Sequence, residues 1–237
     1  MDENKLLELE LADAIIEKPQ WFSVGRRHFY LYPVTLGKMY LLQRLTSLLE
    51  LKEENIKINP YLEVLRVIGE HRMSCCRLLA YHTFSSKKDF FSKKKMDDRT
   101  NFFHKELSDE DLGSLLVLIL TRSDFTVQFI RFLKIDKEQE RMDEVSRVKD
   151  NKNTFSFGGK SVYGMLIDGA CERYGWTMEY VLWGISYTNL QLLLKDSVKT
   201  VYLTDEEAKR VHINNENNII DGNDESVIDY IRNTSWN

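Results

Sequence analysis

The chain reads as a mainly α protein, a helical bundle carrying one small N-terminal β-hairpin. Three observations give that class. Only three prolines and eleven glycines interrupt 237 residues, too few for a turn-rich β fold. Apolar residues recur at helical spacing along most of the chain. A convincing β pattern occurs once, in WFSVGRRHFYLYPVT at 21–35. This length is enough for one large or two small domains with a real core.

The first helix covers 4–17, where Leu6, Leu7, Leu9, Leu11, Ala14 and Ile15 share a face, and Pro19 ends it. In the β segment, Phe22 and Val24 precede Gly25-Arg26-Arg27. Phe29, Leu31 and Pro33 then alternate with His28, Tyr30 and Tyr32. That pattern predicts a hairpin turning at Gly25, with Pro33 at a strand end or on an edge. Thr35 caps the next helix, whose apolar side is Met39, Leu42, Leu45 and Leu49. A loop over Glu53–Asn59 leads to Pro60, suited to a helical first turn. The helix it opens offers Leu62, Leu65, Ile68, Met73, Leu78 and Leu79 and runs to about Thr83.

Residues 85–107 depart from the acidic average. Seven Lys/Arg face four Asp/Glu, and the pairs Phe90-Phe91 and Phe102-Phe103 sit among the lysines. The plain reading is a solvated amphipathic helix with its phenylalanines in the core; a partner-binding surface is the alternative. Ser108 starts another helix, with Asp109, Glu110 and Asp111 in its positive first turn. Thr126 reads as a second cap, opening a helix whose apolar residues thin out after Ile135 into a charged tail. The polar stretch 150–160, with Gly158-Gly159, is the best linker. Beyond it, Gly175 reads as a C-cap, Thr177 as an N-cap, and Gly184 with Ser186 as another stop and start. Three short helices follow from that. The expected organisation is therefore 1–150 as hairpin plus bundle, 161–212 as a short-helix segment, and 213–237 as a flexible acidic tail.

Composition excludes several classes. A net charge of −4 argues against general nucleic-acid affinity. No apolar run reaches the roughly 18 residues of a bilayer span, and the acidic, amphipathic N-terminus lacks the chemistry of a secretory signal. Cys75, Cys76 and Cys171 form no CxxC and no even framework, so they are expected as reduced, packed thiols. The five histidines lack HxxxH or HExxH spacing, so no metal is expected. GxxxxGK[ST], GxGxxG and GxSxG are absent. Gly158-Gly159-Lys160-Ser161 lacks a P-loop's upstream glycine. Asp168 and Glu172 lie one turn apart, a pair that more often faces water or Arg173 than performs acid–base work. A non-enzymatic protein without cofactors is the expectation.

The segment 161–194 holds two tryptophans, four tyrosines and a leucine run, with almost no group suited to acid, base or nucleophilic chemistry. Such a segment closes a core or grips a protein. Its three-helix pattern also suggests a helix-turn-helix. The last helix, however, offers Thr188, Asn189, Gln191 and Lys195 with a single charge among them.

Two blocks resemble tail assembly chaperones of long-tailed bacteriophages. One is FSVGRRHFYLYPVTLGKMYLL at 22–42, similar to that family's strand segment of the x-L-x-P-x-T-L-G sort leading into helices. The other is YGWTMEYVLWGISYTNLQLLL at 174–194, which looks like its aromatic helical ending. Together they span about 40 residues, and the 85–107 region is longer and more basic than the pattern. The resemblance implies a host-cytoplasmic chaperone that binds the tape measure protein, with the tail tube protein as a second partner. No small-molecule substrate, membrane or nucleic acid is implied, and a homo-oligomer stays open. Tyr174, Trp176, Tyr180, Trp183, Tyr187 and Leu190 become the contact candidates, some of them expected in the core. A structural tail or baseplate protein and a DNA-binding regulator are the alternative readings.

Overall fold

The computed structural model describes residues 3–149 and 161–211, and it is mainly helical with one two-stranded antiparallel hairpin. The expected linker at 150–160 and the tail at 213–237 lie outside the described residues.

Helix α1 (Glu3–Ile15) turns only part of its expected face inward. Leu7, Leu11 and Ala14 pack against Phe129, Ile130, Ile135 and Leu192, while Leu6, Leu9 and Ile15 are exposed. The 7, 11, 14 spacing is one stripe at 3.6 residues per turn, and the others lie too far round it. Strands β1 (Gln20–Val24) and β2 (Arg27–Leu31) pair from Val24↔Arg27 to Gln20↔Leu31. Gly25 takes φ +58° at the first turn position, a region glycine enters without cost. Val24, Phe29 and Leu31 face the core, and Trp21 and Tyr30 face out. Pro33 lies just past the strand end, as expected.

Thr35 caps α2 (Leu36–Ser47) by accepting from the Lys38 N–H. The expected loop at 53–59 contains a short helix, α3 (Glu53–Ile58), with Glu53 and Glu54 in its first turn and Lys57 in its last. Those charges match the helix dipole, which offsets the lack of any buried residue. Asn59 caps α4 (Pro60–His82), which kinks at His71 (φ −135°, ψ 38°). Its inward face is Val64, Val67, Ile68, Cys75, Cys76, Leu78 and Leu79, whereas Leu62 and Met73 are exposed.

The basic stretch forms α5 (Lys87–Phe90) and α6 (Lys93–Glu106), capped by Ser86 and Ser92. Phe90 and Phe103 are buried, Phe102 is half-buried, and Phe91 is exposed. Helix α7 (Asp109–Phe132) starts at the Ser108 cap. The helix spans Thr126, so the start expected there falls at a bend within α7 rather than at a separate cap. The two parts, Asp109–Thr121 and Thr126–Phe132, are bent by 41°. Lys134, at φ +58°, separates α7 from α8 (Ile135–Val148), so the charged tail is a distinct helix.

Beyond the undescribed stretch come α9 (Val162–Tyr174), α10 (Met178–Trp183), α11 (Tyr187–Lys195) and α12 (Asp205–Arg210). Gly175 ends α9 at φ +65°, and Thr177 and Ser186 cap the next two helices.

The chain divides into two units: Met1–Asp136 with Phe157–Ser197, and Lys137–Ser156 with Val198–Asn237. In that division the 161–197 helices fall in the same unit as the N-terminal bundle. In the larger unit, α4 packs between α6 and α7, and the hairpin's Val24, Phe29 and Leu31 join their core. In the smaller unit, Thr204 and Glu207 form a reciprocal capping box at the start of α12. The Lys149 ammonium donates to the Tyr202 carbonyl.

Candidate functional site: the junction of two helical blocks and its groove

Residues 22–42 and 174–194 meet in the larger unit. The Tyr187 N–H donates to the Val34 carbonyl at 2.7 Å, and Thr35 and Ser186, the caps of α2 and α11, form an antiparallel bridge. Leu36 lies in a core with Ala170, Val181, Ile185 and Leu190. Gly37 lies so near α10 that a Cβ there would stand 2.8 Å from the Trp183 ring and 2.9 Å from the Leu182 carbonyl oxygen. Glu17 completes the junction from the end of α1. Its carboxylate accepts from the Ser186 N–H at 2.6 Å and the Asn189 amide at 3.2 Å. A negative charge at the positive end of α11 is favourable.

The six candidate contact residues divide. Tyr174 stacks on Trp176 at 4.6 Å, and Trp176 meets Tyr180 edge-on at 5.1 Å. The Tyr174 hydroxyl donates to the Leu193 carbonyl, which fixes that end of the array. Tyr180 is 43% exposed. Trp183 faces inward, with Phe90 and Phe91 at 5.7 and 6.0 Å and the Lys87 ammonium 5.6 Å from its ring. Lys87 also pairs with Glu179 at 2.7 Å. Leu190 is fully buried and presents nothing to a partner. Tyr187 is half-buried and lines a groove.

That groove, of about 490 Å³, runs between α1, the segment after β2, the far half of α7, and α11. Its apolar wall is Ala14, Val34, Met39, Val127, Ile130 and Tyr187, and Glu10, Asp13, Lys18 and Lys195 stand among its polar residues. Sequence reading placed only Tyr187 of this wall among the contacts. The usable signal was the apolar set Val127, Phe129 and Ile130 just after Thr126.

Helix α11 has little left to offer a nucleic acid. Thr188 shares a hydrogen bond with Thr126, Asn189 donates to the Ile15 carbonyl, and Gln191 is buried. A recognition helix needs such side chains free to reach bases.

Two titratable clusters lie away from the junction. Glu63 is buried under four donors: both Arg66 Nε and Nη2, the Lys52 N–H and the Asn55 amide. The Arg66 hydrogen bonds foremost hold its carboxyl at about 2 against the usual 4.5. Burial pushes the Cys75 thiol up to about 12 and Cys76 to about 11. Among the described residues no group of three His, Cys, Asp or Glu could hold a metal ion. No single described helix is long and apolar enough to cross a membrane. The bent α7 pair meets that test by length and composition, but Leu112, Leu116, Ile119, Phe129 and Ile130 from it are buried in the protein.

No protein-family profile, curated protein or solved structure matches the chain.

Proposed function

We propose that this chain is a non-enzymatic tail assembly chaperone of the phage type, acting in the host cytoplasm to hold an apolar helical stripe of the tape measure protein. One observation carries the reading. The two blocks that resemble that family lie more than 130 positions apart in sequence, yet they meet through Val34–Tyr187, Thr35–Ser186 and Gly37–Trp183. A signature with a shared structural purpose is expected to converge in this way.

The groove beside the junction supports the choice of partner. Its aliphatic and aromatic wall suits an amphipathic helix read in i, i+3, i+4 steps. Burying the helix stripe there would remove apolar surface from water at roughly 25 cal/mol per Å². The mixed charges at Glu10, Asp13, Lys18 and Lys195 suit the polar flanks of such a helix. Co-expression with a phage tape measure protein tests the proposal. A rise in soluble tape measure protein that co-purifies with this chain is expected. Unchanged solubility without co-purification would refute it.

A further inference from the structure

A second pocket, of about 510 Å³, lies between β2, the loop after α4, and helices α5 and α6. Three cations line it, Arg27, Lys95 and Arg99, with Asp89 and Asp98. The carboxylate of Asp89 is already engaged, accepting from Lys95 at 2.5 Å and from the Ser86 hydroxyl.

The two arginines are held differently. The Arg99 guanidinium lies between two rings, 4.8 Å from the Phe29 centroid and 4.6 Å from that of Phe84. Its Nη1 donates to the Thr83 hydroxyl at 2.8 Å. Arg27 lies 4.6 Å from the Phe102 centroid, and Phe102 packs on Phe29 at 5.6 Å. The two guanidinium groups thus rest on adjacent aromatic rings. Among the described residues, neither has a carboxylate within ion-pair distance.

Both guanidinium groups line the same pocket, where like charges repel and carboxylates such as Asp89 offset part of that repulsion. Burial foremost lowers the pKa of the Arg99 guanidinium; the Asp89 carboxylate opposes that, and the charge of Arg27 adds to it more weakly. Aromatic stacking and the Thr83 bond pre-set the planar fork, so little ordering remains for a ligand to impose. Tyr32 and Ser85 add hydroxyls to the wall.

We infer that this pocket binds a phosphate-class oxyanion between Arg27 and Arg99, each guanidinium donating to phosphate oxygens. With three cations against two carboxylates the lining keeps a net positive charge, and bidentate Arg–phosphate bonds are among the stronger charge-assisted ones. The cavity is larger than a lone phosphate needs and lies in the range of small-molecule sites. A phosphate ester whose organic part lies on Phe84 and Phe102 therefore fits it. The inference is independent of the chaperone reading.

The test is calorimetric titration of the full chain with inorganic phosphate, adenosine monophosphate and glycerol phosphate at constant ionic strength, with chloride as the control anion. Saturable phosphate binding is expected, weakened at least about tenfold in Arg99→Lys, which keeps the charge but loses the fork. Arg27→Gln alters an exposed side chain and keeps the fold readable by circular dichroism; a similar loss is expected. Tighter binding of an ester than of inorganic phosphate identifies an esterified ligand, and equal affinities identify the free anion. Heat that chloride reproduces, or binding unchanged in both variants, would overturn the inference.

Discussion

Gly37 and Trp183 are in van der Waals contact across the junction of α2 and α10, with no room for a methyl group between them. A β-carbon at position 37 would fall 2.8 Å from Cε2 and Cζ2 of the indole. The Leu182 carbonyl, at 2.9 Å, blocks the other side, so moving the ring alone does not make room. Gly37→Ala is expected to destabilise the protein by about 1–3 kcal/mol, the usual range for overpacking. Chemical denaturation measures it. Trp183→Leu in the Gly37→Ala background should recover only part of the loss, because the Leu182 carbonyl remains.

Glu17 reaches α11 from a left-handed backbone position at φ +54°. Its carboxylate satisfies the Ser186 N–H, an orphan donor at the start of that helix. Glu17→Ala should cost on the order of 1 kcal/mol, as lost caps do. Hydrogen exchange should quicken in α11 more than in α4. Uniform exchange across both helices would contradict the local role.

Glu63 links stability to pH. Its folded pKa of about 2 lies below the ordinary 4.5, so the ionised form is the one the fold prefers. That stabilisation is fully present above about pH 4.5 and is lost as pH falls through the window toward 2. Glu63→Gln should therefore lower stability at pH 7, by roughly 1–3 kcal/mol for a buried hydrogen-bonded charge. The gap between wild type and variant should shrink toward pH 2. A gap independent of pH would assign the loss to packing alone.

The thiols should differ in reactivity. Cys75 and Cys76 are fully buried with pKa values near 12 and 11, so the thiolate is scarce at pH 8. Cys171 is half-buried. Under native conditions a thiol reagent should label Cys171 first, and denaturant should release the other two together. Early labelling at Cys75 would contradict the packing of α4.

Local signals were readable in the sequence, and long-range ones were not. Thr35, Ser108, Thr177 and Ser186 all cap helices as expected, because a cap depends on side chain and backbone within three residues. Gly25 and Gly175 turn the chain where their neighbours suggested. Thr126 carries the same local signature, but its hydroxyl bonds to Thr188 and the helix continues past it. The Asn55 and Lys52 donors to Glu63, the Glu17 cap and the inward turn of Trp183 under Phe90 depend on partners 8 to 169 positions away, which periodicity does not encode, whereas the Arg66–Glu63 pair is a local i,i+3 contact. The six aromatic and aliphatic candidates likewise divided by tertiary packing. Leu190 went to the core, Tyr187 to the groove, Tyr174 and Trp176 to the edge of the core, and Tyr180 to the surface.

The groove is where the proposed activity is most directly exposed to measurement. Synthetic amphipathic segments of a phage tape measure protein can be titrated into the purified chain by calorimetry. Val127 lines the groove and is 47% exposed, so Val127→Glu alters its wall without opening the core. Saturable binding with a negative heat-capacity change, weakened tenfold or more by that substitution, is the expected result. Absence of binding to every segment, or binding indifferent to Val127→Glu, would contradict the proposed site.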